Sequence, residues 1–182
     1  MKKSYAMPVL AILFAAILSI SSCKKDDLVV PYDLGNQTVC VDPNPYQGYI
    51  TYTTNTNHND VQAVLTAAGV KDLNRLTKAA LRTGFKATVS ATGVATTLDE
   101  ISSIEVYIKE TGTSGDGTQI AYSPTIANGA TEIQLNLNGT DLKDVVTKDM
   151  TLTVKVLNKA SGNTQKACLT LTNGIVDVSV KQ

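Results

Sequence analysis

From Leu81 onward the chain sets apolar residues at every second position, and this period decides what it can fold into. Ile104, Val106 and Ile108 alternate with Glu105, Tyr107 and Lys109. Met150, Leu152, Val154 and Val156 alternate with Thr151, Thr153 and Lys155. Successive side chains of a strand project to opposite faces, so each run offers one face to a core and one to water. Leu81, Phe85, Ala87, Val89 and Ala91 form a similar face, read as one long strand. The pattern returns at Gln119–Tyr122, at Ile133, Leu135 and Leu137, at Ala167, Leu169 and Leu171, and at Val176, Val178 and Val180. Turn residues separate the runs: Asp42-Pro43-Asn44-Pro45, residues 113–117 and Asn128-Gly129. Asn173-Gly174 reads as a hairpin turn.

Before Leu81 the signals are mixed. Asn36–Val41 and Tyr49–Thr53 are short strand candidates. Val61, Val64, Leu65 and Ala68 follow a helical period, with Asn59 or Asp60 as cap and Gly69 as stop. Thr140–Val146 reads as one helical turn whose Leu142, Val145 and Val146 cover the end of a core. About eight strands with turns between them, and no βαβ alternation, describe an all-β sandwich, with a small barrel as the alternative. We expect it over residues 35–182. Its form would be immunoglobulin-like, about seven to eight antiparallel strands with one short helix before a central strand.

The N-terminus carries a different message. Lys2 and Lys3 precede an apolar run from Val9 to Leu18, and Ile20-Ser21-Ser22-Cys23 follows. The run is about half the ~20 residues that a spanning helix needs. The order of charge, apolar run and small residues is that of a secretory signal. A cysteine after two small residues makes it resemble the signal of bacterial lipoproteins. That resemblance implies cleavage after residue 22, acylation of Cys23 and a hold on a membrane through acyl chains. Lys25, Asp26 and Asp27 resemble the surface-export signal of Bacteroidota lipoproteins, which implies the outer face of the outer membrane. Residues 1–22 are thus expected as signal peptide, and residues 23–34 as lipidated cysteine and tether.

Composition narrows the partners. Lys and Arg number 16, as do Asp and Glu. Lys2 and Lys3 leave with the signal, so the mature chain is slightly acidic. It has no basic patch for nucleic acid. Of three cysteines, Cys23 is assigned to the anchor. Cys40 and Cys168 remain, both on the threonine-bearing side of their strands. A bridge between them would contribute roughly 4–5 kcal/mol in the loop-entropy picture. Two separate, partly buried thiols are the other reading.

Catalytic patterns are sparse. His58 is the sole histidine. Asp99, Glu100, Glu105, Asp116, Asp141, Asp144 and Asp177 are the carboxylates to weigh for glycoside hydrolysis. Ser114 and Asp116, with nearby carbonyls, are the ones to weigh for calcium. None has the spacing of a known site, so no catalytic residue, metal or cofactor is expected. Tyr46, Tyr49 and Tyr52 are candidate ligand contacts, although Tyr49 and Tyr52 differ in strand parity. The sequence therefore points to a non-catalytic binding or structural module displayed at the outer membrane, meeting a protein or a glycan. The alternatives are a glycan-binding accessory of an uptake system and an adhesin or pilus-like subunit.

Overall fold

The computed structural model describes residues 27–43, 48–56, 58–159 and 165–182. Among these the fold is all-β, a sandwich-like arrangement of antiparallel sheets. The strands are β1 (Leu28–Asp33), β2 (Gln37–Val41), β3 (Tyr49–Thr56), β4 (Leu76–Thr83), β5 (Lys86–Val89), β6 (Ile101–Glu110), β7 (Thr118–Tyr122), β8 (Glu132–Gln134), β9 (Asn136–Leu137), β10 (Met150–Asn158), β11 (Ala167–Thr172) and β12 (Ile175–Val180). Helix α1 (His58–Ala67) lies between β3 and β4, and the single turn α2 (Lys143–Val146) lies before β10. Three sheets result, ordered β1-β12-β4, β2-β11-β5-β8 and β3-β10-β6-β7-β9.

Twelve strands replace the expected eight or so, because β1 is added and the runs 81–91 and 133–137 each break in two. The first two sheets are one layer with a crease across it. Residues 28–41 oppose residues 180–167 in a single register, from Leu28 opposite Val180 to Val41 opposite Ala167. Leu34 N–H continues that ladder across the break, donating to the Gly174 carbonyl at 2.8 Å. On the other side, Thr83 opposes Ile175 and Lys86 opposes Thr172, so Gly84-Phe85 faces Asn173-Gly174. The 81–91 run is therefore not one strand. Asn173-Gly174 is not a hairpin either, since β11 and β12 do not pair with each other. It is the crease of one long strand.

The crease has a packing cause. Phe85 is fully buried. A Cβ added to Gly174 would lie 2.1 Å from the Phe85 ring, closer than any side chain allows. Asn173 takes φ 65°, a left-handed conformation that asparagine tolerates better than most residues. Ile175 N–H then folds back to the Asn173 carbonyl at 2.9 Å. The crease extends to the fourth strand, where Leu135 N–H donates to the Phe85 carbonyl at 2.8 Å. There the chain leaves β8 for β9 in the opposite layer.

The inner faces of both layers share one apolar core. It contains Val39, Leu169, Leu171, Val176 and Val178 from the creased layer, and Ile104, Val106, Ile108, Val154 and Val156 from the five-stranded one. Helix α1 adds Val61 and Leu65. It ends at Gly69, with Val70 N–H returning to the Leu65 carbonyl and Gly69 N–H to the Thr66 carbonyl. That is the pair of hydrogen bonds that closes a glycine-terminated helix. Leu142 and Val146 of the predicted helical turn are buried.

The tether is shorter than expected. Leu28–Asp33 is a strand paired along its whole length with β12, and Val30, Tyr32 and Leu34 are in the core. The alternation of Val30, Tyr32 and Leu34 had been masked by Pro31, which an edge strand accepts.

Gly174→Ala should destabilise the domain by about 1–3 kcal/mol through overpacking. Phe85→Leu should cost energy alone yet relieve part of that loss in the double variant. Chemical denaturation of the four proteins reads the coupling. Additive losses would show that the ring and the glycine do not constrain each other.

Candidate functional site

The side chains best placed to meet a ligand stand on the outer face of the five-stranded sheet. In β10 the inward residues are Met150, Leu152, Val154 and Val156, so Lys155 points out. Lys155 opposes Glu105 of β6 and Thr51 of β3, which puts Tyr107 and Tyr49 diagonally beside it. Its ammonium lies 5.3 Å from the Tyr107 ring centroid and 6.0 Å from that of Tyr49. It also meets the Asp116 carboxylate at 2.5 Å. These distances suit cation–π attraction, and the half-buried lysine makes it stronger than it would be in open water.

The neighbouring polar groups are mutually engaged. Tyr107 Oη donates to Glu105 Oε2 at 2.9 Å and accepts from Gln119 Nε2 at 3.3 Å. Burial, followed by the Glu105 carboxylate, holds the Tyr107 phenol above its ordinary value. Tyr49 remains more than half exposed, and Tyr122 lies on the same outer face opposite Glu105. The result is a ridge of exposed ring, alkyl-ammonium and phenol, its charges paired within the sheet. Exposed aromatic rings of this kind can stack on a flat ligand, and the phenol hydroxyls can hydrogen-bond at its rim.

The tyrosines singled out in the sequence separate. Tyr52 faces inward and its hydroxyl donates to the Cys40 carbonyl, tying the five-stranded layer to the creased one. Tyr46 lies outside the described residues, as do Cys23, Lys25, Asp26 and the His58 side chain. Asp27 is the first described residue, and its carboxylate accepts a hydrogen bond from Thr77 Oγ1 at 2.7 Å. Tyr107 and Lys155 were assigned to outer faces by their period. Nothing in the sequence brought them beside Tyr49, because that needs the β3-β10-β6 order.

Cys40 and Cys168 are directly opposed in the β2–β11 ladder, Cα–Cα 4.0 Å, and are joined by a disulfide. Two residues along, Thr38 and Thr170 share a hydroxyl contact at 3.3 Å on the same side. Sequence parity placed both pairs on that side.

The loop weighed for calcium holds ammonium groups instead. Lys109 Nζ donates to the carbonyls of Thr113 and Gly115 at 2.8 and 2.7 Å, and Asp116 pairs with Lys155. Ser114 is exposed beside them. The carboxylates weighed for hydrolysis are dispersed. Asp99 accepts from Gly129 N–H and Thr97 Oγ1, which hold its carboxyl below the usual range. Asp141 accepts from Ala79 and Lys143 N–H and is lowered by the first of these above all. Asp177 pairs with Arg82. Among the described residues no three of His, Cys, Asp or Glu gather as metal ligands.

Compared with known protein families, characterised proteins and solved structures, the chain matches none.

Glu105→Gln removes the acceptor charge beside Tyr107. The Tyr107 phenol should then titrate lower than in the wild type, while burial keeps it above the ordinary value of 10.0. Ultraviolet difference titration of the two proteins measures this. An unchanged titration would break the link between the two side chains.

Proposed function

We propose that this chain is an exported, lipid-anchored, non-catalytic module that displays one β-sandwich at the outer surface of the outer membrane. The observation that carries the reading is the order Lys2-Lys3, apolar run, Ser21-Ser22-Cys23, then Lys25-Asp26-Asp27. It resembles the lipoprotein signal and the surface-export signal of Bacteroidota. The fold supports it in one respect. With β1 beginning at Leu28, an acylated Cys23 stands five residue steps from the sandwich, at most about 18 Å. The domain is then held close against the membrane, and its partners come to the layer faces and the far loops.

Glycan recognition beside an uptake system is the second reading. It is favoured by the exposed Tyr49 ring aligned with Lys155 and Tyr107. Internal pairing of the charges there suits an uncharged, hydroxyl-rich ligand.

Mass spectrometry of the mature N-terminus should find acylated Cys23 as the first residue, and Cys23→Ala should release the protein. Any other first residue, or a bare cysteine, would contradict the anchor. Changing Lys25, Asp26 and Asp27 together to Ala should leave acylation intact and remove surface exposure, as read by protease shaving of intact cells. Equal shaving would reduce the segment to a spacer.

A further inference from the structure

An edge strand leaves a row of backbone N–H and C=O groups without partners, and proteins close or blunt such edges. The described sheet edges are β1, β2, β3, β4, β8 and β9. β1 carries Pro31 in mid-strand and has α1 against it. On β2, the Cys40 carbonyl accepts the Tyr52 hydroxyl. On β4, Ala79 N–H donates to the Asp141 carboxylate at 3.0 Å and its carbonyl accepts from Leu142 N–H at 2.6 Å. Lys78 and Arg82 add charge to the same strand. β8 and β9 are only three and two residues long. β3 is different. It runs eight residues, Tyr49–Thr56, with neither proline nor charge, and pairs with β10 without a register shift.

Among the described residues, the groups that β3 leaves without a partner can be named. Asn158 N–H donates to the Gly48 carbonyl at 3.3 Å, in register with Tyr49 opposite Leu157. Bonded and non-bonded pairs alternate along an antiparallel ladder. Ile50, Tyr52 and Thr54 therefore turn their N–H and C=O groups to β10. Tyr49, Thr51, Thr53 and Asn55 turn theirs to the open side, and all four residues are exposed.

We propose that β3 is a self-association edge, where two copies of this chain pair antiparallel about a two-fold axis at Tyr52. Tyr49 then opposes the partner's Asn55, and Thr51 opposes the partner's Thr53. All four open residues on each strand are used, giving about eight backbone hydrogen bonds. The two five-stranded sheets become one continuous sheet. A second copy is the partner that this strand's chemistry fits. Next to the two-fold axis a residue lies diagonally beside its own copy, so a charge at Thr51 or Thr53 would sit beside a like charge. β3 carries none, and threonine against threonine is a favourable cross-strand pair. The pairing needs neither the lipid anchor nor a ligand.

Sedimentation equilibrium of the full chain in a density-matched detergent tests this over a wide concentration range. The wild type should show a monomer–dimer equilibrium. Thr53→Pro should be monomeric throughout, because its missing N–H and added ring lie on the open side and leave the β10 ladder whole. Thr53→Lys, which keeps the backbone N–H and faces the uncharged Thr153 of β10, should also be monomeric, with a melting temperature close to wild type, which separates lost pairing from lost folding. A wild type monomeric at every concentration overturns the proposal and leaves the edge to a strand of another protein. A dimer that survives both substitutions overturns it too, by placing the contact on another surface.

Discussion

The buried Phe85 ring against Gly174 is the contact on which the rest of the architecture turns. The ring occupies the space where any larger residue would set its Cβ. The long strand through residues 167–180 must therefore crease at that point. Its neighbours crease beside it, at Leu34–Asn36 and at Gly84-Phe85. The crease lets both halves close on the same core, with Val176 and Val178 on one side of it and Leu169 and Leu171 on the other. Leu135, bonded to the Phe85 carbonyl, is where the chain crosses from the creased layer to the five-stranded one.

Two further ties hold the layers in place, one covalent and one polar. The Cys40–Cys168 disulfide fixes β2 to β11 on the outer side of the creased layer. Tyr52 reaches from β3 to the Cys40 carbonyl and so joins the same strand to the five-stranded layer. One side of the sandwich is thereby sealed by a side chain. The backbone of β3 beyond it stays open, and the outer face it shares with β10 and β6 carries the tyrosine–lysine ridge. Rigid support and exposed chemistry come from the same three strands.

The two-residue period made the class of fold legible, along with the inward face of β6, β10, β11 and β12. Strict alternation needs no tertiary knowledge to read. The helix was legible from Val61, Leu65 and Gly69. What stayed hidden were the places where a run of correct parity changes direction. Phe85 continues the alternation of Leu81 and Ala87, so the break at Gly84 looks like an ordinary strand glycine. Asn173-Gly174 has a hairpin's residues but serves a crease, since its neighbours lie in line and not side by side. β1 was hidden by the charged residues before it and by Pro31. At the candidate site, parity gave the outward direction of Tyr49, Tyr107 and Lys155 separately. Their meeting depended on long-range strand order, which local pattern does not encode.

The two smaller sheets form one creased layer held at Phe85, and native-state hydrogen exchange tests that most directly. The amides of β11 and β12 should open together as one cooperative unit. Leu34 and Leu135 N–H, which bridge the crease, should be protected to the same degree as the strands beside them. If β1, β12 and β4 instead exchange as a separate, less stable unit, with Leu34 and Leu135 unprotected, the crease is a boundary between independent sheets and the central claim fails.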